Sequence, residues 1–236
     1  QKVHNALNTI MSPVLHHYFV NFKSMINAFV VKVAGKNSYM HLHRDTTAMN
    51  ETLFSPLSLW LPLSNVDEHN GALFVVPKSH HLSPSYRAVT IPSDYRNIEN
   101  ICWQYAQPVL LKKGEAVIFD PRILHLSAAN VSAENRVAIV CSIFSNDATL
   151  QICYFNTHKN VIEVYEQEDK FMIENQKFLV NCFDKPSSGK LIQQIPFTDT
   201  LLSESSFTQW CQTNNLQKSN FIPVSTSGFS IAEAKF

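Results

Sequence analysis

The sequence predicts a mainly β domain of the jelly-roll type, either a barrel or a sandwich, with helices flanking it at both ends. From residue 28 to about 145, apolar residues recur with a period of two, and turn residues separate the runs. Outside this region, apolar residues recur at three- and four-residue spacings, which is typical of helices. Eight short strands joined by turns indicate a jelly roll, and 236 residues are enough for one such domain.

The elements follow in chain order. Residues 1–27 form a predicted helical flank, interrupted near Ser12-Pro13. The core, 28–145, contains these predicted strands: Phe29–Ala34, Tyr39–His43, Leu57–Leu63, Ala72–Val76, Pro108–Leu111, Ala116–Phe119, Leu124–Ala128 and Arg136–Ser145.

A long connection, residues 78–107, separates the fourth and fifth predicted strands. A connection of about thirty residues within one domain is usually functional, and we predict that it is a lid over a site. The alternative is a surface excursion without a role.

Residues 146–236 are predicted to form a C-terminal helical flank of the same single domain, 1–236. Asn160 with Glu163 resembles a capped helix start, predicting a helix from Val161 to about Phe178. Ser206 with Gln209 resembles a capping box for a second helix.

Composition restricts the partners. Lysine plus arginine equals aspartate plus glutamate, 19 each, so no overall charge attracts nucleic acid or an anionic membrane. No apolar run approaches the roughly 18–20 residues of a membrane span, and no signal peptide is recognised. The five cysteines form no CxxC pair, so we expect buried, reduced thiols in a cytoplasmic protein.

The segment Tyr39–Asp45 carries the first candidate site residues. Alternate residues of a strand share a face, so His43 and Asp45 point the same way. They are two of the three ligands of the 2-His-1-carboxylate triad that holds non-haem Fe(II). His125, at the start of a later strand, is available as the third.

Arg136 opens the last predicted strand, on a face shared with small or apolar residues. A guanidinium there needs an anion, because burying it unpaired is costly, and a carboxylate is its natural partner. A 2-oxo acid chelates iron through its keto oxygen and adjacent carboxylate, and an arginine holds a second carboxylate. The site is therefore predicted to bind 2-oxoglutarate. The alternative places Arg136 at the strand mouth, in solvent.

The chain resembles the phytanoyl-CoA dioxygenase family of Fe(II)- and 2-oxoglutarate-dependent oxygenases over roughly residues 28 to 145. The following segments carry the resemblance, in this order: His43-Arg44-Asp45, Leu59-Trp60-Leu61-Pro62-Leu63, Asn70–His80, Gly114–Phe119, His125-Leu126-Ser127 and Arg136.

The resemblance implies a double-stranded β-helix (jelly-roll, cupin-like) with iron on His43, Asp45 and His125. It also implies that 2-oxoglutarate pairs with Arg136 and contacts Trp60 and Ser127. One departure is Lys78, where the family has glycine in Pro-Gly-Ser-His; lysine takes a positive φ less readily, which puts the shape of that turn in doubt.

The expected function is hydroxylation of an unidentified small organic molecule, consuming dioxygen and decarboxylating 2-oxoglutarate to succinate. Asp45 favours a hydroxylase, since halogenating relatives replace this carboxylate with a small residue. Two alternatives stay open: a cupin-like metal- or small-molecule-binding protein without turnover, and a degenerate barrel used as an interaction scaffold. Three residues or pairs are weaker candidates for the site: His41 and His80-His81 as ligands, and Arg122 as a co-substrate contact.

Overall fold

The computed structural model describes residues 1–82, 85–175 and 183–221. Two four-stranded antiparallel sheets form its centre, with strand orders β1-β8-β3-β6 and β2-β7-β4-β5. We call them the major sheet and the minor sheet. The strands of the major sheet are β1 Phe22–Lys32, β8 Arg136–Ser145, β3 Leu57–Pro62 and β6 Val117–Phe119. Those of the minor sheet are β2 Met40–His43, β7 His125–Ser127, β4 Leu73–Val75 and β5 Gln107–Val109.

The main core lies between these two sheets. Trp60 and Ala138 of the major sheet pack in one buried cluster with Phe74 and Leu126 of the minor sheet. The predicted mainly β jelly-roll fold is confirmed.

The N-terminal helix, α1, spans Lys2–Tyr18. The predicted interruption near Pro13 is wrong, because Pro13 lies inside one continuous helix. Met11 and Leu15, on either side of the proline, both pack on the major sheet, which stabilises the helix on both sides of Pro13. The predicted flank was also too long, since β1 begins at Phe22.

In its described residues, the C-terminal flank contains more strand than helix, so the prediction of a helical flank is wrong for this part. β9 Leu150–Asn156, β10 Val161–Gln167 and β11 Lys190–Pro196 form an antiparallel sheet in the order β11-β10-β9, which we call the C-terminal sheet. The helix predicted from Val161 to about Phe178 is therefore wrong over Val161–Gln167, and in its described part only Phe171–Glu174 is helical; its last residues, 176–178, lie outside the described residues. Asn160 adopts a positive φ of 52° between β9 and β10, which asparagine tolerates in turns.

Three further helices complete the described chain. α2 spans Glu99–Trp103 and α3 spans Phe171–Glu174. The last, α4, spans Glu204–Thr213, and the hydroxyl of its N-cap Ser203 accepts a hydrogen bond from the Ser206 N–H. A helix was predicted here, but its cap lies three residues before the predicted Ser206. Among the described residues, no helix combines the length and the apolar character required to cross a bilayer.

The long connection contains α2 and a 3-10 turn, Ser79–His81, and its residues 83 and 84 lie outside the described part. Lys78 before the turn is left-handed, with φ 65°. This non-glycine residue therefore accepts a conformation that costs roughly 1–2 kcal/mol. Of the five cysteines, Cys102, Cys141, Cys153 and Cys211 are free and buried, as predicted, while Cys182 lies outside the described residues.

Candidate metal centre

Two adjacent strands of the minor sheet bring three potential metal ligands together. His43 on β2 lies directly opposite His125 on β7, and Asp45 follows two residues after His43. One donor atom from each of the three lies within 4.8 Å of the others. The Nε2 atom of His125 is 3.6 Å from Oδ1 of Asp45. These distances suit a group of side chains that share one cation.

Both imidazoles are oriented by backbone carbonyls. Nδ1 of His43 lies 2.7 Å from the carbonyl oxygen of His41, and Nδ1 of His125 lies 2.9 Å from that of Ile123. Because a carbonyl oxygen only accepts, each Nδ1 is the donor, which leaves Nε2 with its lone pair free. Metal-binding histidines are commonly held in this way by their second nitrogen. The donor set therefore fits a transition metal.

The environment keeps His43 neutral. Burial, followed by the neighbouring His125, lowers the pKa of His43 to about 4. A neutral imidazole binds a metal without first losing a proton. The side chain of Asp45 is 41% exposed while that of His125 is 6% exposed, so the cluster opens to solvent on the carboxylate side. On the inner side, Oδ2 of Asp45 accepts a hydrogen bond of 3.3 Å from Ser58 on β3.

His41 is not part of this cluster. Strict alternation would place it beside His43, but the β2–β7 pairing has an irregularity between Met40 and His43. Its ring instead lies 3.2 Å from the Glu99 carboxylate, with the side chain 58% exposed. Arg122 is also engaged elsewhere, in an ion pair with Asp120. The ring of His80 contacts that of His81, tilted by 45° with 3.8 Å between ring centroids.

A second group of side chains lies on the major sheet, where Lys32 of β1 is directly opposite Arg136 of β8. Both are buried, at 6% and 5% exposure. The Arg136 guanidinium lies over the Trp60 ring, 4.9 Å from its centroid, and Nη2 donates to the Gly71 carbonyl at 3.2 Å. Lys32 Nζ donates to the Ser127 hydroxyl.

This pair of cations has N–H donors that no described residue accepts from. Within the described residues, Nε and Nη1 of Arg136 are buried without a partner, and neither cation forms an ion pair there. Burial lowers the pKa of Arg136 to about 10. Burial and then Arg136 lower the pKa of Lys32 to about 7. Two adjacent buried cations that have no carboxylate partner among the described residues fit an anion, and the unpartnered N–H donors of the guanidinium suit a carboxylate.

Strand β7 connects the two groups. His125 carries the ligand nitrogen, and Ser127, two residues later on the same strand, accepts from Lys32. Among the residues described above, the sequence predictions did not name Ser58, the hydrogen-bond partner of Asp45, or Lys32. The sequence indicated only weakly that Lys32 faces inward, because Phe29 and Val31, on the opposite face of β1, are apolar yet about half exposed. With apolar residues on both faces, the inward lysine did not stand out.

The sequence model of the phytanoyl-CoA dioxygenase (PhyH) family matches residues 1–138. This segment contains His43, Asp45, His125, Lys32 and Arg136. It ends before the C-terminal sheet begins.

Two curated relatives are similar over part of the chain. The phytanoyl-CoA dioxygenase domain-containing protein 1 of Danio rerio is 25% identical over 130 residues, covering 52% of this chain and 45% of the relative. The peroxisomal phytanoyl-CoA dioxygenase of Mus musculus is 27% identical over 154 residues, covering 58% and 43%. The chain thus spans less than half the length of these two relatives.

Among solved structures, the chain is similar to the non-heme alpha ketoglutarate dependent carbocyclase SnoK from nogalamycin biosynthesis. The TM-score is 0.48 and the identity 22%, covering 62% of this chain and 61% of that one.

Proposed function

The chain belongs to the phytanoyl-CoA dioxygenase family, and on that premise we propose that it is an Fe(II)- and 2-oxoglutarate-dependent oxygenase. The observation that carries the proposal is that two groups, one on each sheet, are linked through strand β7, which carries both His125 and Ser127. A His-Asp-His cluster offers metal ligands, and a buried Lys-Arg pair lacks an anion among the described residues. Neither group is specific for this chemistry when taken alone, but together they match its two requirements, a metal and a carboxylate co-substrate.

His43, Asp45 and His125 would hold the iron. Two neutral imidazole nitrogens and one carboxylate are the facial triad of non-haem Fe(II) enzymes. The carbonyls of His41 and Ile123 keep each Nε2 directed for binding. The iron, when bound, supplies the reaction of dioxygen with 2-oxoglutarate, giving succinate and carbon dioxide and leaving one oxygen atom for the substrate.

Arg136 would bind the remote carboxylate of 2-oxoglutarate. Its Nε and Nη1 are buried without a partner among the described residues, so N–H donors of this guanidinium are available to a carboxylate, which forms strong charge-assisted hydrogen bonds with arginine. Trp60 covers the face of the guanidinium. Lys32 adds a second positive charge, and Ser127 adds a hydroxyl that already accepts from Lys32.

We assign hydroxylation of a small organic molecule as the reaction. Each turnover consumes one substrate C–H, one dioxygen and one 2-oxoglutarate, and yields the alcohol, succinate and carbon dioxide. Asp45 favours this outcome over halogenation, in which the carboxylate is replaced to admit a halide. The substrate would approach the exposed side of Asp45, since His125 on the opposite side is buried.

The test is anaerobic addition of Fe(II) and then 2-oxoglutarate to the metal-free protein. We expect a weak visible charge-transfer band that requires both additions and is absent in His43→Ala and Asp45→Ala. His41→Ala is the matched control, because this neighbouring histidine lies outside the cluster; it should keep the band.

Full retention of the band in both ligand variants would overturn the assignment of the iron site. Metal binding without any band on addition of 2-oxoglutarate would favour the cupin-like binding protein instead.

A further inference from the structure

Strand β2, which carries the candidate ligand His43, forms few paired positions with the neighbouring strand of its sheet. It is four residues long, Met40–His43. Only Met40 and His43 pair in register with β7, and the pairing is irregular between them. Asp45 lies beyond the strand, where its N–H donates to the Pro121 carbonyl at 2.9 Å. Two of the three candidate ligands therefore lie on backbone that the sheet fixes incompletely.

Glu99, at the start of α2 in the long connection, holds this backbone from one side. Its Oε2 accepts from the Leu42 N–H at 2.8 Å, and its Oε1 accepts from the Tyr39 hydroxyl at 2.6 Å. The same carboxylate lies 3.2 Å from Nδ1 of His41. Since the His41 carbonyl orients the His43 ring, Glu99 fixes the peptide on which the ligand depends.

Trp103, one turn further along α2, strengthens this attachment. Its Nε1 donates to the Tyr39 hydroxyl at 2.9 Å. Both ends of α2 therefore bind the segment that leads into His43.

Arg87, earlier in the long connection, holds the other side. Its Nε donates to the backbone carbonyl of Asp45 at 2.7 Å. Its backbone exchanges hydrogen bonds with Thr47: the Arg87 N–H donates to the Thr47 hydroxyl and the Thr47 N–H to the Arg87 carbonyl. Arg87 is 8% exposed, and its guanidinium is fixed by a two-bond ion pair with Glu51.

The long connection is itself anchored. Its residues Tyr86, Ala88 and Ile91 pack against the C-terminal sheet. Ile98, Cys102 and Trp103 are buried in the main core. Contacts at Glu99 and Arg87 are therefore made from well-packed supports.

We propose that Glu99 and Arg87 are positioning residues of the metal centre, holding His43 and Asp45 respectively through the backbone. This inference rests on the proposed function, because it takes these two residues as metal ligands. The long connection then stabilises the backbone of β2 and of the residues that follow it. Its residues contact the peptide groups next to the ligands and leave the metal-binding donor atoms free.

The test measures Co(II) binding to the metal-free protein by its visible absorption, at a temperature where circular dichroism shows every variant folded. The variants are Glu99→Ala and the double variant Arg87→Met with Glu51→Gln, which avoids leaving a buried carboxylate unpaired. Loss of supporting contacts around a ligand typically weakens metal binding about 10–100-fold. We expect a loss in that range for each variant, with altered Co(II) band intensities that report changed ligand geometry.

Arg96→Met is the matched control, because Arg96 lies in the same connection but pairs with Asp199, away from β2. It should bind Co(II) as the wild type does. Glu99→Gln, which keeps the size and one acceptor oxygen, should fall between wild type and Glu99→Ala. In the metal-free protein, the Leu42 amide should exchange hydrogen faster in Glu99→Ala and not in Arg96→Met.

Two outcomes separate the proposals. Unchanged Co(II) affinity and band shape in both variants, with normal wild-type binding, would overturn the positioning role alone. Failure of the wild type to bind Co(II) would overturn the metal site and the positioning role with it.

Discussion

The major and minor sheets carry the two halves of the site in different ways. β1 and β8 of the major sheet have 11 and 10 residues and pair along most of their length. The strands of the minor sheet have four, three, three and three residues. The cation pair lies on the long ladder and the candidate metal ligands on the short one.

The two sheets thus position their functional side chains in two different ways. Lys32 and Arg136 are cross-strand partners within a continuous register, so the ladder alone places them side by side. His43 is the last residue of a four-residue strand and Asp45 lies two residues beyond it, and contacts from outside the minor sheet hold the backbone that its ladder does not pair. We therefore expect substitutions at the two groups to affect co-substrate binding and metal binding separately.

The largest expected effect tests that separation. Arg136→Met should weaken 2-oxoglutarate binding about 100-fold, because hydrogen bonds to charged groups contribute roughly 1.5–3 kcal/mol each. Co(II) affinity should stay unchanged. Calorimetric titration of the Co(II)-loaded protein with 2-oxoglutarate measures the first value, and Co(II) titration measures the second.

Arg122→Met is the control, since Arg122 is paired with Asp120; its 2-oxoglutarate affinity should match the wild type. A parallel loss of metal affinity in Arg136→Met would show that the two groups are not independent.

An effect that is smaller per pH unit should come from the second cation of the major sheet. The pKa of Lys32 is about 7 in the folded protein, below its unfolded value. The unfolded state thus binds more protons between these two values, so stability of the ligand-free protein rises with pH from about 7 upward. One proton gives at most about 1.4 kcal/mol per pH unit. Lys32→Met should lose this part of the rise in urea unfolding measured from about pH 6.5 to about pH 9.5.

Saturating 2-oxoglutarate should also reduce the rise in the wild type, because a bound carboxylate favours protonated Lys32. An identical pH slope in wild type and Lys32→Met would exclude the lysine as its source.

The smallest expected effect concerns a contact between the two sheets. Ser58 on the major sheet donates to the Asp45 carboxylate at 3.3 Å. A single hydrogen bond contributes about 0.5–1.5 kcal/mol net, and Asp45 is partly exposed, so Ser58→Ala should weaken Co(II) binding only about two- to fivefold. Ser142→Ala, directly opposite Ser58 on β8, is the control and should have no effect. A loss as large as that of the double variant Arg87→Met with Glu51→Gln would show that the major sheet, rather than the long connection, orients Asp45.

The sequence predicted strands well where apolar and polar residues alternate, or where turns bound a long run. The predicted strand Arg136–Ser145 has the bounds observed for β8. Prediction from the sequence failed at β10, where four consecutive residues are buried: Ile162, Glu163, Val164 and Tyr165. Because both faces of β10 are covered, its apolar residues do not alternate with polar ones. They fall instead at a helical spacing, at Val161, Ile162, Val164 and Tyr165. Asn160 with Glu163 resembles a helix cap.

Glu163 shows the same difficulty in another form. In the structure its carboxylate accepts from Tyr165 and from Asn156, and it pairs with Lys185. These contacts lower the pKa of Glu163 to about 2 against the opposing effect of burial, which is the largest single influence. A charged residue that is satisfied inside a sheet looks, from the sequence, like an exposed helical residue.

Local residue spacing was enough to predict the chemistry available to this protein: two histidines and an aspartate at suitable positions, an arginine at the start of a strand, and the order of the core strands. This was possible because strand periodicity relates neighbouring residues directly. The three-dimensional packing was needed to learn that Lys32 lies opposite Arg136, that His41 contacts Glu99, and that Arg87 binds the Asp45 carbonyl. The Glu99 and Arg87 contacts join residues 57 and 42 positions apart, where no periodic pattern connects the partners and packing alone brings them together.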